Sequence, residues 1–460
     1  MSKINPEVFR TYDVRGEYPT EINEDVAYAT GRAVVRFLKA KKIAIGRDMR
    51  LSSPKLLRAA VRGIIDEGAE ARVFGQAGIE MVYFVCGYYK MDGGIMITAS
   101  HNGKQFNGMK LIRENAKSLT TGTGIDKVRD MAVKSPWGKE KEKTKGKEIA
   151  IDPWRDYKNY IQGLIDVIKF KPLKVVFDAE SGMGGQMIED ILKDSPIELI
   201  KLNFKPDGNF PKHDPNPLIP ENRKELEEKI AEVKADVGFS PDGDADRMVV
   251  VDENGELLMS DFVGALVADI LLKEDNNKKV VWDLRRGWAI KDVTHKYGGK
   301  FYQTRAGYPF VKLKMREIDA VFGGETAAHY FYKDFFTSDS GVLTVLHILE
   351  LMSKENKALS EIVKPYREHY FMKEERNFLV PEFKKLLKSV ENYYMKKGAK
   401  ISHLDCLSVD FDNWHFNFRP SNNPEPVYRL NLEAKDPKTL EKEDKELIKI
   451  ISENSGTPVE

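Results

Sequence analysis

Cysteine is almost missing from this 460-residue chain: Cys86 and Cys406 are the two present, and neither has a Cys-x-x-Cys partner. That argues against a disulfide framework and a cysteine-ligated zinc site. No apolar stretch approaches the roughly 20 residues that a membrane-spanning helix needs. The opening Met-Ser-Lys-Ile-Asn-Pro-Glu carries no apolar signal core. An excess of either charge is lacking too. With 73 basic and 72 acidic residues the formal net charge is +1, which speaks against nucleic-acid and membrane-surface partners. Affinity for phosphate must then come from arginines placed locally. No G-x-x-x-x-G-K-[ST] phosphate loop occurs, so a kinase of that type is excluded. Gly182-Met-Gly-Gly185 breaks the dinucleotide fingerprint, with Met187 at its third glycine position, and reads as a plain strand-to-helix turn. A cytoplasmic protein is expected, with monomer and dimer both open.

What the chain does contain is repetitive α/β patterning. Lys42-Ile-Ala-Ile-Gly, Ala71-Arg-Val-Phe and Gly94-Ile-Met-Ile read as strands. Pro54 to Gly68 reads as a helix with Leu56, Leu57, Ala60, Val61, Ile64 and Ile65 on one face. A lysine–glutamate run, Gly138 to Glu148, marks a surface loop or linker. Lys174-Val-Val-Phe-Asp178 opens a second unit, continued by Glu198-Leu-Ile-Lys and Asp236-Val-Gly-Phe, and Lys279-Val-Val-Trp-Asp283 opens a third. After about residue 370 the pattern changes to two strands, Leu404 to Asp410 and His415 to Phe418, and then a lysine-rich helix. That predicts a smaller α+β domain.

Four loops carry chemistry. Thr98-Ala-Ser-His-Asn-Gly-Lys-Gln-Phe-Asn-Gly-Met-Lys110 follows an apolar strand, so Ser100 falls where strand gives way to loop. Small neighbours there let a bulky anion approach the backbone, and the serine could act as a nucleophile or carry a phosphoryl group. The G-x-S-x-G elbow of hydrolases is missing. Adjacent loop side chains rarely face each other, which disfavours His101 as a base for Ser100. Ser240-Pro-Asp-Gly-Asp-Ala-Asp-Arg247 lies between strand-like runs. Asp242, Asp244 and Asp246 cannot stay ionised side by side in a tight turn without a cation, and oxygen-only ligands favour Mg2+. An EF-hand fails at its sixth position, where Arg247 replaces glycine. Phe322-Gly-Gly-Glu-Thr-Ala-Ala-His-Tyr330 offers Glu325 and His329 among small residues, suited to sugar hydroxyls. In Phe418-Arg-Pro-Ser-Asn-Asn-Pro-Glu-Pro-Val-Tyr-Arg429, the donors Arg419, Ser421, Asn422 and Asn423 suit a phosphate dianion or a structural ion-pair loop.

Together with Phe9-Arg-Thr-Tyr-Asp-Val-Arg-Gly16 and Gly46-Arg-Asp-Met-Arg-Leu-Ser-Ser53, these segments resemble the α-D-phosphohexomutase superfamily in order and spacing. The branch they resemble is phosphomannomutase/phosphoglucomutase. The resemblance covers the whole chain. It implies three related α/β domains (1–150, 151–252 and 253–368) and a smaller C-terminal α+β domain (369–460) around a central cleft. It implies interconversion of hexose 1- and 6-phosphates through a phosphoserine at Ser100 and a 1,6-bisphosphate, which also serves as activator. One Mg2+ would be held by Ser100, Asp242, Asp244 and Asp246. Lys110, Arg247 and His101 join Ser100 as catalytic candidates. Tyr12, Arg15, Arg285, Tyr308, Glu325, Thr326, His329, Arg419, Ser421, Asn422, Asn423 and Arg429 are the substrate-binding candidates. Lys110 fits a proton acceptor only where cationic neighbours depress its pKa.

Four departures stand out. Gly103 replaces the family's usual proline, Ala327-Ala328 replaces Ser-Gly, the phosphate loop carries an extra residue, and Tyr308 stands where histidine is common. Mannose, glucose and glucosamine phosphates are the candidate substrates, in that order. The alternatives are a phosphoglucosamine mutase and a non-catalytic sugar-phosphate-binding relative. A phosphatase would need a D-x-D-x-[TV] strand-end motif, which Asp242-Gly-Asp-Ala-Asp does not supply.

Overall fold

A computed structural model of the chain describes residues 4–134, 145–421 and 427–459. Most of the Gly138–Glu148 run therefore lies outside the described residues. The backbone divides into two compact units, one of Met1–Leu258 with Ala327–Leu359, the other of Met259–Thr326 with Ser360–Glu460. Among the described residues no helix is long and apolar enough to cross a membrane.

The first unit holds two mixed sheets. One orders its strands Val14–Glu17, Phe106–Arg113, Gly93–Ile97, Lys42–Arg47, Glu70–Gln76 and Glu148–Ala150. Lys42–Arg47 runs parallel to its neighbours on both sides, and Ile43, Ala44 and Ile45 are fully buried. Burial on both faces is why this strand reads as continuously apolar rather than alternating. The second sheet orders Leu257–Leu258, Met248–Asp252, Val237–Pro241, Lys174–Asp178 and Glu198–Leu202. The loops bearing Ser100 and Asp242 leave the carboxyl ends of Gly93–Ile97 and Val237–Pro241, where open α/β sheets commonly bind ligands.

Helices Glu24–Leu38 and Ser53–Asp66 cover the first sheet. Asn23 caps the former by accepting from the Asp25 and Val26 amides, both at 3.1 Å. The helices meet through two glycines. A Cβ on Gly31 would lie 2.5 Å from the Ala60 carbonyl oxygen, and one on Gly63 would lie 2.2 Å from that of Tyr28. Any side chain at either position would push the backbones apart.

In the second unit, Lys300–Thr304, Lys279–Asp283 and Phe322–Glu325 form a parallel set with Lys279–Asp283 in the middle. The C-terminal α+β part is an antiparallel sheet around Trp414–Pro420 and Val427–Ala434, with helices Phe383–Lys396 and Pro437–Glu453. The sequence patterning missed helix Phe383–Lys396. It also put Lys110 in a loop, whereas Lys110 lies within strand Phe106–Arg113. That strand pairs antiparallel on both sides, with Val14–Glu17 and Gly93–Ile97. Glycine and asparagine near its start hid it from propensity.

Within the first unit, Glu80 is fully buried. It accepts hydrogen bonds from Tyr157 Oη (2.8 Å), Ser340 Oγ (2.9 Å) and the Val342 amide (3.1 Å). Loss of solvent outweighs these bonds and pushes its carboxyl up from 4.5 to about 7. Between those two values the folded chain keeps a proton that the unfolded chain has released, so this group's contribution to stability falls as pH rises. Thermal melts of the wild type and Glu80→Gln, from pH ~5 to ~8, should show the wild type losing ground relative to the variant as pH increases. Parallel profiles would refute the assignment.

Candidate functional site

Side chains from two loops and one strand of the first unit converge on Ser100. Its Oγ donates to Asp242 Oδ2 at 2.6 Å, and its amide donates to Thr98 Oγ1 at 3.0 Å. Thr98 Oγ1 in turn donates to Asp244 Oδ2 at 3.1 Å. Lys110 Nζ lies 2.9 Å from Asp244 Oδ2 and 2.6 Å from Asp246 Oδ2. Ser100 is 3% exposed and the three aspartates 1% or less, so charges here interact with little screening by water.

The carboxylate triad fits a small divalent cation. Ligand oxygens of Asp242, Asp244 and Asp246 lie within 4.8 Å of one another. Asp244 Oδ1 and Asp246 Oδ1 are buried without a hydrogen-bond partner, and a buried bare oxygen is costly. Burial, then repulsion from Asp244 and Asp246, pushes the Asp242 carboxyl up to about 7. An all-oxygen set suits Mg2+ in particular.

Two helix starts grip the loop that carries these aspartates. The Ile79 amide donates to the Asp244 carbonyl at 2.9 Å, and the Met183 amide donates to the Gly243 carbonyl at 3.0 Å. Gly243 must lack a side chain, because its Cβ would lie 2.6 Å from the Ser100 carbonyl oxygen. At the root of the loop, Ser240 Oγ donates to Glu180 Oε1 at 2.7 Å, and Glu180 pairs with His213 at 3.1 Å.

The geometry corrects one expectation. Ser100 has φ +51 and lies in the left-handed region, so the chain folds back on itself. His101 Nδ1 comes within 3.2 Å of Ser100 Oγ instead of pointing away. Loss of solvent, then Arg247, Arg15, Lys110 and His329, holds the His101 pKa well below the ordinary imidazole value. Lys110 is ion-paired with Asp244 and Asp246. Arg247 Nε donates to His329 Nε2 at 3.1 Å and lies 3.8 Å from Asp242 Oδ2. His329 Nδ1 faces Asp339 Oδ2 at 3.0 Å. Arg15 Nη1 donates to Asn102 Oδ1 at 2.6 Å while its other arm pairs with Asp13. Tyr12 precedes strand Val14–Glu17 and is half-buried.

The second unit gathers a separate, cationic group. Arg285 is held by Asp283 through Nε (3.0 Å) and Nη2 (2.8 Å). It lies 3.7 Å from both Glu325 and Glu375. Burial acts to lower its pKa, but Asp283, Glu375 and Glu325 more than reverse that and fix it as a cation. Glu325 Oε2 also accepts the Gly307 amide at 3.0 Å, at the start of the helix that Tyr308 opens. The Thr326 amide donates to Asp283 Oδ2 at 2.7 Å.

Arg419 lies on a strand rather than in a loop, directly opposite Arg429 in the ladder. Glu375 joins them: its Oε1 accepts from Arg429 Nη1 at 2.8 Å, and its Oε2 is 3.8 Å from Arg419 Nη2. Burial tends to raise the Glu375 carboxyl, yet Arg285, Arg429 and Arg419 pull it down to about 2. Ser421 follows the end of this strand; Asn422 and Asn423 lie outside the described residues. Sequence reasoning did not single out Glu375, Asp283, Thr98 or Asp339. The signal that could have found Glu375 is an acid at the start of the strand that pairs with Arg429.

Ala328 occupies the left-handed region with φ +65, where the resemblance expects glycine. This conformation costs a residue with a Cβ roughly 1–2 kcal/mol, part of which glycine's greater unfolded-state freedom offsets. Ala328→Gly should raise stability by about 0.5–1 kcal/mol in urea titration; a loss would contradict the strain. Glu375→Ala should lower stability in urea titration, because it strips three neighbouring guanidiniums of the carboxylate they share. An unchanged transition would show that Glu375 does not organise them.

Three family descriptions match consecutive stretches. They are phosphoglucomutase/phosphomannomutase alpha/beta/alpha domain I over residues 6–134, domain II over 155–255 and domain III over 259–370. A phosphomannomutase of Vibrio cholerae is 36% identical over 438 residues, covering 93% of this chain and 94% of that protein. One from Escherichia coli K12 is 35% identical over 451 residues, covering 97% and 99%. Among solved structures, a phosphoglucomutase/phosphomannomutase family protein of Burkholderia thailandensis superposes with TM-score 0.88 at 27% identity, covering 98% of each chain. N-acetylphosphoglucosamine mutase of Aspergillus fumigatus shares the fold at 12–13% identity, with TM-score 0.59 and coverage of 96–98% of this chain and 95–96% of that one. Its structures are described as complexes with GlcNAc-6P and magnesium and, for a serine-to-alanine variant, with glucose 1,6-bisphosphate.

Proposed function

The chain belongs to the phosphoglucomutase/phosphomannomutase family, and on that premise we propose that it moves a phosphoryl group between O1 and O6 of a hexose through Ser100. The observation that carries this reading is the Ser100 hydroxyl set 2.6 Å from Asp242, inside a buried cluster of three aspartates.

With Ser100 phosphorylated, a free hydroxyl of the bound sugar monophosphate attacks phosphorus. The P–Oγ bond of Ser100 breaks, a sugar O–P bond forms and the attacking hydroxyl's proton passes to Ser100 Oγ, giving the 1,6-bisphosphate. The bisphosphate reverses its orientation, and the Ser100 hydroxyl attacks its other phosphorus, releasing the isomeric monophosphate. Asp242, Asp244, Asp246 and Ser100 would hold Mg2+, which withdraws electron density from the phosphoryl group when bound.

The protein's own groups do the rest. Asp242 Oδ2 orients the Ser100 hydroxyl, whose proton ends on the departing sugar oxygen when Ser100 attacks, and His101 Nδ1 lies 3.2 Å from Oγ. Lys110 balances the carboxylate charge. Arg247 and Arg15 offer guanidinium donors to phosphoryl oxygens. Arg285, Arg419, Arg429 and Ser421 of the second unit take the phosphate that is not being transferred. Glu325, Thr326, Tyr308 and His329 serve the sugar hydroxyls, with Tyr12 lining the reacting end. Hexose 1,6-bisphosphate acts as activator by phosphorylating Ser100. Mannose phosphate is the first substrate to test, ahead of glucose and glucosamine phosphates, because phosphomannomutases are among the similar proteins at 35–36% identity.

Ser100→Ala should reduce turnover of all three 1-phosphates to background, with Mg2+ and bisphosphate supplied. The intact wild-type protein should carry one phosphoryl group that excess sugar monophosphate removes. Full turnover by the alanine variant, or stoichiometric release of inorganic phosphate by the wild type, would overturn the reading.

A further inference from the structure

Arg50 sits in the turn after strand Lys42–Arg47 and is 1% exposed. Its five N–H donors have five acceptors. Nη2 donates to the carbonyl oxygens of Ser100 (2.8 Å) and Asn102 (2.6 Å). Nη1 donates to those of Gly103 (2.7 Å) and Phe106 (3.1 Å). Nε donates to Asp48 Oδ2 at 3.1 Å. Asp48 is fixed in its turn by the Arg50 amide (3.0 Å) and Ser53 Oγ (2.6 Å). The ring of Phe210 covers the guanidinium, with its centroid 5.1 Å from Cζ.

We propose that Arg50 is a positioning residue for phosphoryl transfer, clamping four carbonyls of the Ser100–Phe106 loop so that Ser100 Oγ is presented to Asp242. The proposal rests on the reading of Ser100 given above. Four carbonyls converging on one planar cation define a single loop shape, because the guanidinium's donors diverge at fixed angles. The loop needs such an external constraint for two reasons. Ser100 occupies the left-handed region, which a serine does not favour by itself. Residue 103 is glycine, so no pyrrolidine ring stiffens the turn from within. The clamp also determines what the other loops meet: the Ser100 carbonyl it holds lies against Gly243, with no room for a Cβ.

The test compares the full-length wild type with Arg50→Met and Arg50→Lys in a steady-state mutase assay with Mg2+ and 1,6-bisphosphate. Melting temperature and amide hydrogen exchange of residues 98–108 are measured alongside. Arg50→Met should lower kcat about 100-fold, the scale of a reacting group displaced by an ångström. KM should change less than about threefold, since the arginines that take the other phosphate are untouched. Arg50→Lys should recover part of the loss and remain about tenfold slow, because an ammonium keeps the charge but not the five-donor fork. Loop exchange should accelerate in both. Wild-type kcat in either folded variant overturns the proposal, as does a loss confined to KM or to melting temperature. If Arg50→Met does not fold, Arg50→Lys decides alone. Ser100→Ala run in parallel separates the two ideas: activity surviving there defeats the phosphoserine reading, whatever Arg50 does.

Discussion

Mutual repulsion among three buried carboxylates is the constraint around which the first unit is organised. Asp242, Asp244 and Asp246 are confined to one short turn and nearly shut off from water. The fold answers this with a single lysine between two of them and with helix amides on the neighbouring carbonyls. Two carboxylate oxygens are still left without donors. A turn arranged like this is suited to a cation.

Part of the chain's backbone strain lies beside the same chemistry. Ser100, Ala245 and Ala328 all have positive φ without being glycine. Each is pinned by surrounding contacts: Ser100 through its carbonyl, Ala245 through its amide to the Asp242 carbonyl, and Ala328 through its carbonyl to the Met248 amide. Strained residues persist where their surroundings over-determine them, and they cluster at reactive sites.

Much of this was legible in the sequence because it depends on local spacing. Alternate aspartates in a turn between apolar strands, or a serine at a strand end, announce themselves within ten residues. The buried runs of Lys42–Arg47 and Lys174–Asp178 were equally plain. What stayed hidden depends on contacts far apart in the chain. Arg50 serves residues some 50 positions later, and Glu375 meets Arg429 across 54; no periodicity encodes either pairing. Strand Phe106–Arg113 was obscured by its polar start, and His101 by a dihedral angle that residue type does not reveal. The phosphate-loop asparagines, Asn422 and Asn423, fall outside the described residues and stay as the sequence left them.

In the second unit, Arg419 and Arg429 stand face to face across an antiparallel pair, where like charges weaken a ladder. Glu375 is one carboxylate shared among three guanidiniums. Asp283 adds a second carboxylate to Arg285 and Asp405 one to Arg419, so these guanidiniums are already matched by the protein's own acids. An anion arriving here must compete with the protein's own carboxylates for the same guanidiniums.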